Sequence, residues 1–226
     1  MVEGQVGGRI ASQEHPLRCA VLLSGSGTGM EALVHAQREH DLPHQTTVVI
    51  SNKADVAGVT RAERLGLPTV VIEHRPVGES LSRQEHEQKI LHCLLEYEVE
   101  LVVLSGYMRL LSPSFLNAWG RHVINIHPSL LPHFPGAHAH RDVLAAKVRV
   151  SGCTVHLVDD GMDTGAIIAQ RSVPVLKQDD EKRLSERVKV EEHRLYPTVL
   201  TWIAEGRVRH EGPTISVDGL EGLRLS

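Results

Sequence analysis

Short apolar segments that alternate with stretches of helical spacing constrain the fold of this chain most strongly. An unbroken apolar run of this kind is typical of a strand buried on both faces, as in parallel sheets. The alternation predicts an α/β fold with a Rossmann-like, mostly parallel twisted sheet and helices on both faces. Ligands of such sheets bind at the carboxyl ends of the strands. The predicted strands cover residues 19–23, 46–51, 69–72, 101–106 and 123–127.

The later part of the chain departs from this alternation. Two further strands flank an acidic loop bordered by glycine, and a long amphipathic helix, interrupted near Pro197, precedes a small C-terminal β-hairpin. The two strands are predicted over residues 152–158 and 166–170, with the acidic loop over residues 159–165 between them. The helix is predicted over residues 179–205 and the two hairpin strands over residues 207–210 and 214–217.

Charge and hydropathy restrict the classes of partner. The chain of 226 residues carries a net charge of −4, so a polyanionic partner such as a nucleic acid is not expected. Its first residues lack a cationic start followed by an apolar stretch, and no apolar run reaches membrane-spanning length. We therefore expect a cytoplasmic protein with no membrane partner.

The length of the chain favours one folded domain. Residues 1–17 mix glycine, charge and histidine and are predicted to form a flexible N-terminal extension, with a single domain over residues 18–226. Cys19, Cys93 and Cys153 lie in apolar stretches and are odd in number, which indicates buried reduced thiols rather than a disulfide framework or a zinc site.

A glycine-rich turn, Ser24-Gly25-Ser26-Gly27-Thr28-Gly29, connects the first predicted strand to a helix. Glycines allow close approach of a ligand to the backbone, and a helix N-terminus offers unpaired N–H groups with a favourable dipole. The turn therefore predicts a phosphate site, and a tight turn without a ligand stays open as the alternative. A dinucleotide site fits less well, because the G-x-G-x-x-G spacing is not met.

The segment Asn125-Ile126-His127-Pro128-Ser129-Leu130-Leu131-Pro132 is the second polar motif at a strand end. Residues two apart in a strand share a face, so Asn125 and His127 are neighbours, and the prolines predict a rigid turn after them. An isolated pair of this kind is more often a turn residue and a buried histidine. His138 and His140 have no further ligand at metal-binding spacing, so we expect them to pack or face solvent and predict no metal site.

These motifs, together with Asp163 in Asp-x-Gly, give the chain a resemblance to the glycinamide ribonucleotide formyltransferase family, the folate-dependent transformylases of purine synthesis. The resemblance runs from Cys19 to about Val208. The Ser-Leu-Leu-Pro segment alone marks only the wider formyl-transfer superfamily, whereas the whole set in this order favours the ribonucleotide enzymes. Supporting stretches are residues 51–55, 106–113, 152–156 and 192–197.

The resemblance implies a function and a set of site residues. The enzyme would transfer the formyl group of 10-formyltetrahydrofolate, its co-substrate, to the amine of glycinamide ribonucleotide, without a metal, as a monomer or homodimer. The resemblance assigns catalysis to Asn125, His127 and Asp163. It assigns ribonucleotide binding to Gly27, Thr28, Gly29 and Glu192, and folate binding to Arg83, Met108, Arg109, Leu110, Leu111, Asp159 and Asp160. The single formyltransferase domain would hold the phosphate site in its N-terminal half and the folate site in its C-terminal half.

Chemistry supports these roles, with one departure from the family pattern. Asp163 is expected to raise the pKa of His127, since a nearby carboxylate favours the imidazolium. His156 also fits the family pattern, but we interpret it as a histidine that packs within its strand. The family usually has asparagine at the position of Gly29, so one side-chain contact near the phosphate is missing. Gly29→Asn is therefore predicted to tighten ribonucleotide binding.

Three other functions share parts of this pattern. A formyltetrahydrofolate hydrolase would use the same catalytic residues but usually carries an additional N-terminal regulatory domain, and only a short segment precedes the first strand here. A methionyl-tRNA formyltransferase is longer and ends in a nucleic-acid-binding domain, which the acidic composition disfavours. A folate- or nucleotide-binding module that has lost activity is disfavoured because Asn125, His127 and Asp163 are all present.

Overall fold

The computed structural model describes residues 3–74 and 81–219. Residues 1–2 of the predicted extension, and residues 75–80 and 220–226 of the predicted domain, therefore lie outside the described residues. In chain order the strands are β1 Gly4–Gln5, β2 Leu17–Leu23, β3 His44–Ser51, β4 Thr69–Val71, β5 Leu101–Leu104, β6 Val123–His127, β7 Val150–Leu157, β8 Ile167–Pro174, β9 Val208–Glu211 and β10 Thr214–Val217. The helices are α1 Thr28–Glu39, α2 Ala57–Arg64, α3 Arg83–Glu96, α4 Pro113–Trp119, α5 Ala139–Ala145 and α6 Glu181–Ala204.

The main sheet has seven strands in the order β4-β3-β2-β5-β6-β7-β8. The pairings among β2 to β6 are parallel, whereas β7 is antiparallel to both β6 and β8. A short acidic loop joins β7 to β8, and a connection of that length permits only antiparallel neighbours. The predicted mostly parallel, Rossmann-like sheet is confirmed. Its strand order reverses between β2 and β5, the kind of position where open α/β sheets bind ligands.

Apolar side chains of β2 alternate between two core clusters on opposite faces of the sheet. Cys19 and Val21 join one cluster with residues of α1 and α6, and Ala20 and Leu22 join the other with residues of α3 and α4. Helices therefore cover both faces, as predicted. The same arrangement explains why β2 is apolar at every central position rather than at alternate ones.

Helix α6 is continuous through Pro197, so the predicted interruption at this residue is wrong. A proline inside a helix removes one N–H donor and costs about 3 kcal/mol. Packing offsets this cost, because Tyr196 is buried and its hydroxyl donates to the Leu104 carbonyl at 2.8 Å and lies 3.3 Å from the Ile124 carbonyl. The helix is thereby fixed against the ends of β5 and β6.

The segment before β2 is partly paired with and buried against the domain, which differs from the flexible extension that was expected over residues 1–17, although Ile10 and residues 12–15 are exposed. Strand β1 pairs antiparallel with β9, so the predicted C-terminal hairpin, which is confirmed, becomes a sheet of three strands. Val6 is 0% exposed, and the Arg9 guanidinium binds the Glu100 carboxylate through two hydrogen bonds. Pairing, burial and a bidentate ion pair together order a segment whose composition alone indicates disorder.

Within the part of the chain that the structure describes, no helix is long and apolar enough to cross a membrane.

Candidate active site

A cleft of about 480 Å³ opens at the carboxyl ends of β2, β5 and β6. Its walls are formed by the glycine-rich turn after β2, the segment after β5, the end of β6, the acidic loop after β7 and one side of α6. Both polar motifs of the sequence therefore face one space, as the strand-end rule for α/β sheets predicts.

The glycine-rich turn places the N-terminus of α1 at this cleft. Gly27 precedes the helix with a φ of 71°, and a Cβ at this position would lie 2.5 Å from the Gly58 Cα, so only glycine fits. The first backbone N–H groups of a helix have no intrahelical partner, and no capping side chain bonds to them here. These N–H groups and the helix dipole favour an anion here.

Asn125, His127 and Asp163 come together at the end of β6. His127 Nδ1 lies 3.3 Å from Asp163 Oδ2, and Asn125 Nδ2 lies 3.5 Å from Asp163 Oδ1. Strand alternation places the amide and the imidazole side by side, and the loop after β7 brings the carboxylate to both. The Asn125 amide and the Asp163 carboxylate line the cleft together with the buried imidazole.

Each ring nitrogen of His127 faces an oxygen atom. Nε2 lies 2.8 Å from the Phe134 carbonyl oxygen, while Nδ1 faces Asp163. A doubly protonated imidazolium satisfies this arrangement fully. Burial nevertheless lowers the pKa of His127 below its ordinary value, with the Phe134 carbonyl and Asp163 opposing the shift and His156 adding to it. The predicted upward influence of Asp163 is present, but burial outweighs it.

Asp163 is held in a constrained position. Its φ of 57° is in the left-handed region, which a residue other than glycine adopts at a cost and which is common at functional sites. The Gly136 N–H donates to Oδ2 at 2.8 Å. Burial raises the pKa of Asp163, but the neighbouring His156, the hydrogen bond from the Gly136 N–H and the nearby His127 bring it below its ordinary value. The carboxylate is therefore ionised at neutral pH.

His156 belongs to the site, contrary to our interpretation that it packs within its strand. It lies opposite Asn125 in the antiparallel pairing of β6 and β7 and lines the cleft. Its Nδ1 lies 2.7 Å from the Leu157 carbonyl oxygen, so in the neutral ring Nε2 is the acceptor for Asn125 Nδ2 at 3.2 Å. This contact turns the NH₂ end of the amide toward the site, where its second hydrogen makes only the long contact of 3.5 Å with Asp163 Oδ1.

The turn after His127 is anchored by Thr154 on β7. The Thr154 hydroxyl donates to the Ser129 carbonyl at 2.6 Å and accepts from the Leu131 N–H at 3.0 Å and Gln170 Nε2 at 2.9 Å. Gln170 Nε2 also lies 2.9 Å from the Leu131 carbonyl oxygen. The rigid turn predicted from its prolines thus has a buried network beneath it.

Thr154→Val is expected to lower the free energy of unfolding by about 2–3 kcal/mol, because buried donors lose their acceptor while the shape of the side chain is kept. Thr154 is 0% exposed, so water does not replace the lost partner. Urea denaturation followed by circular dichroism measures the change. Thr198→Val is the matched control, because the Thr198 hydroxyl donates only to the Arg194 carbonyl of its own helix. If this control lost as much stability as Thr154→Val, the anchoring role of Thr154 would be contradicted.

Most of the remaining predicted site residues line the cleft. They are Gly27, Thr28, Gly29 and Glu192 on one side and Met108, Arg109, Leu110, Leu111 and Asp159 on the other. Arg83 and Asp160 do not line the cleft, which differs from their predicted place in the folate site. Arg83 instead donates to the Leu110 carbonyl at 2.6 Å, and so supports the wall from behind, while Asp160 is exposed in the acidic loop.

Several lining residues were not predicted to be site residues, and one of them, His140, was expected to pack or face solvent. Ser105, His140, Lys189, His193 and Tyr196 all contribute to the cleft wall, whereas His138 is exposed at the start of α5. The helical spacing of α6 places Lys189 and His193 on one face with Glu192, and that spacing is the signal that would have found them. Burial raises the pKa of Glu192 to about 7, and Lys189 opposes this shift. Among residues 3–74 and 81–219 no group of acidic, histidine and cysteine side chains is arranged to hold a metal ion.

A doubly wound sheet whose strand ends hold an amide, imidazoles and a carboxylate in one cleft defines an α/β enzyme that acts on small molecules. The model of the family described as "Formyl transferase" matches residues 17–200, which include every residue of this polar cluster. The chain belongs to the formyl transferase family and, within it, to the phosphoribosylglycinamide formyltransferases.

Curated relatives and a solved structure agree with this membership. The phosphoribosylglycinamide formyltransferase of Escherichia coli (strain K12) is 36% identical over 204 residues, which are 90% of this chain and 94% of that protein. The trifunctional purine biosynthetic protein adenosine-3 of Gallus gallus is 46% identical over 208 residues, 92% of this chain but 20% of that protein. This chain therefore spans about a fifth of the length of the trifunctional relatives it matches. The crystal structure of glycinamide ribonucleotide transformylase 1 from Symbiobacterium toebii superposes with a TM-score of 0.85 at 42% identity, covering 93% of this chain and 98% of that chain.

Proposed function

We propose that the protein transfers the formyl group of 10-formyltetrahydrofolate to the amine of glycinamide ribonucleotide. The products are N-formylglycinamide ribonucleotide and tetrahydrofolate, in de novo purine biosynthesis. The observation that carries this proposal is the convergence of Asn125, His127 and Asp163 within about hydrogen-bond distance at the end of β6, in a cleft that also contains a helix N-terminus. Family membership supports the same reaction.

Asn125 acts on the oxygen of the formyl group. The ribonucleotide amine attacks the formyl carbon, and the carbonyl oxygen becomes an oxyanion in a tetrahedral intermediate. The amide hydrogen of Asn125 that His156 does not engage makes only a long contact of 3.5 Å with Asp163, and it turns from there to donate to this oxygen. Preorganised donors of this kind stabilise the transition state by about 3–4 kcal/mol.

His127 and Asp163 carry charge and protons. A new bond joins the amine nitrogen to the formyl carbon, the bond from that carbon to N10 breaks, and one proton moves from the amine to N10. His127 takes up a proton as charge develops, because the Phe134 carbonyl and Asp163 then both face an N–H of the imidazolium. The imidazolium also attracts the oxyanion. These roles need neither a covalent intermediate nor a metal.

The two substrates occupy opposite parts of the cleft. The phosphate of the ribonucleotide lies against the turn formed by residues 27–29, and Glu192, mostly buried on the facing helix, accepts a hydrogen bond from the ribonucleotide. The folate lies against the segment after β5 and the acidic loop, where exposed apolar side chains of Met108 and Leu110 offer surface to a flat ring. The single domain over residues 18–226 then has its phosphate site in the N-terminal half and its folate site in the C-terminal half.

The remaining partners follow from the same reaction. Both substrates are small molecules, and the net charge of −4 gives no support for nucleic-acid binding. A cytoplasmic protein that acts as a monomer or homodimer, without a membrane partner, fits this role.

An assay of the purified chain with 10-formyltetrahydrofolate, with and without glycinamide ribonucleotide, tests the function. We expect tetrahydrofolate to appear only when the ribonucleotide is present and in equal amount to the formylated ribonucleotide, as chromatography of the products measures. Donor turnover that ignores the ribonucleotide would overturn the transferase in favour of a hydrolase. Binding of both substrates without turnover would instead support the inactive binding module.

A further inference from the structure

We propose that the Ser105 hydroxyl is a ligand of the substrate phosphate, and that residue 29 is glycine because this hydroxyl occupies the space of its side chain. The inference rests on the proposed function, since it assigns a further binding residue to the ribonucleotide site. Ser105 follows β5, and Gly29 lies in the first turn of α1, so the two residues approach from different elements.

The distance between the two residues carries the inference. A Cβ built on Gly29 would lie 2.6 Å from Ser105 Oγ, closer than such atoms come in proteins. The backbone of Gly29 has no positive φ, so its conformation does not require glycine. A side chain at position 29 would therefore require the Ser105 hydroxyl to leave its place beside the turn.

The Ser105 hydroxyl is available to a ligand. The backbone N–H of Ser105 donates to the Leu22 carbonyl at 2.9 Å, which fixes the residue between β2 and β5. Its side chain is half-buried in the wall of the cleft, and its hydroxyl makes no hydrogen bond to another residue in the described ranges. A hydroxyl held beside the unpaired N–H groups of a helix N-terminus adds one donor for an anionic oxygen.

The cleft wall carries a cation near Glu192 as well as the carboxylates of Glu192, Asp159 and Asp163. Lys189 on α6 lines the same cleft, and it forms no ion pair with any residue that the structure describes. The positive end of the α1 dipole and this ammonium group act on the same space. A phosphate gains from both, whereas an uncharged group gains little.

This geometry revises the expectation for Gly29→Asn. The asparagine Cβ displaces the Ser105 hydroxyl, so one ligand is gained while another is lost. The single substitution is therefore not expected to tighten binding. Asparagine at position 29 fits without this displacement only when residue 105 lacks the hydroxyl, as alanine does, so the two positions are coupled and their effects are not additive.

Titration calorimetry of wild type, Ser105→Ala, Gly29→Asn and the double variant tests the proposal, with glycinamide ribonucleotide and its dephosphorylated riboside as ligands. Ser105→Ala is expected to weaken ribonucleotide binding about tenfold and to leave riboside binding unchanged, because a hydrogen bond to a charged oxygen is lost. The double variant is expected to bind the ribonucleotide more tightly than either single variant. In steady-state assays Ser105→Ala raises KM for the ribonucleotide and keeps kcat.

Other results would overturn the inference. Unchanged ribonucleotide binding in Ser105→Ala, equal losses for ribonucleotide and riboside, or additive effects of the two substitutions would each remove Ser105 from the phosphate site. Thermal unfolding of each variant confirms that the fold is kept. Wild-type protein that neither binds the ribonucleotide nor transfers formyl groups would instead overturn the proposed function, so the two failures are distinguishable.

Discussion

Asn125→Ala is expected to lower kcat for formyl transfer by about 10²–10³-fold, since it removes one preorganised donor to the developing oxyanion. His127→Ala is expected to have an effect at least as large, because it removes both the charge beside that oxygen and the group that moves the proton. The pairings of β6 with β5 and β7 are backbone ladders, which do not depend on the side chains of Asn125 and His127. Both variants are therefore expected to fold.

Steady-state kinetics of the purified variants measures these effects, and circular dichroism establishes that the fold is intact. His138→Ala is the matched control, since this histidine is exposed at the start of α5 and lies outside the cleft wall, and it is expected to keep wild-type turnover. A folded Asn125→Ala variant with kcat within a few-fold of wild type would remove the amide from the transition state. An equal loss in His138→Ala would attribute the effect to the segment as a whole.

Local patterns in the sequence were sufficient for the parallel half of the sheet. The apolar runs that became β2, β3, β5 and β6 are buried on both faces, and burial of that kind is visible in the residues themselves. The shared face of Asn125 and His127 also follows from strand geometry alone. These features depend on interactions between residues that are close in the chain.

The role of His156 could not be predicted from local patterns, because it depends on residues that are far apart in the chain. Its position beside Asn125 depends on the register between β6 and β7, which are antiparallel and separated by a helix and a turn. A shift of that register by one residue would turn His156 to the other face of the sheet. Asp163 likewise enters the site through the loop after β7, and only the resemblance to a family connected it to Asn125.

Tertiary packing also overrode two local signals. Composition predicted disorder before residue 18, but β1 completes the sheet formed by β9 and β10, and Val6 is buried beneath it. Pro197 predicted a break in α6, but burial of the helix against the sheet keeps it continuous. In both cases the stabilising contacts come from residues far away in the chain, which a local pattern does not report.

Glu192 combines a proposed binding role with a cost in stability. Its side chain is mostly buried, and burial raises its pKa from 4.5 to about 7. No residue in the described ranges forms an ion pair or a hydrogen bond with its carboxylate. Because its folded-state pKa is above the unfolded value, the contribution of Glu192 to stability is most favourable below about pH 4.5. This contribution is lost as the pH rises through about 7. At pH 8 the folded protein holds a charged carboxylate that water would solvate better.

Glu192→Gln is therefore expected to stabilise the protein at pH 8, by at most about 3 kcal/mol, and to change its stability little at pH 4.5. Thermal unfolding at both pH values measures the difference, which corresponds to several degrees at pH 8 for a chain of this size. Glu186→Gln, on an exposed part of the same helix, is the matched control and is expected to show no such pH dependence. A variant no more stable than wild type at pH 8 would contradict the raised pKa of Glu192. The same substitution removes a charged acceptor from the proposed ribonucleotide site, so we expect the more stable variant to bind that substrate more weakly. Such a trade of stability against function is common at functional sites.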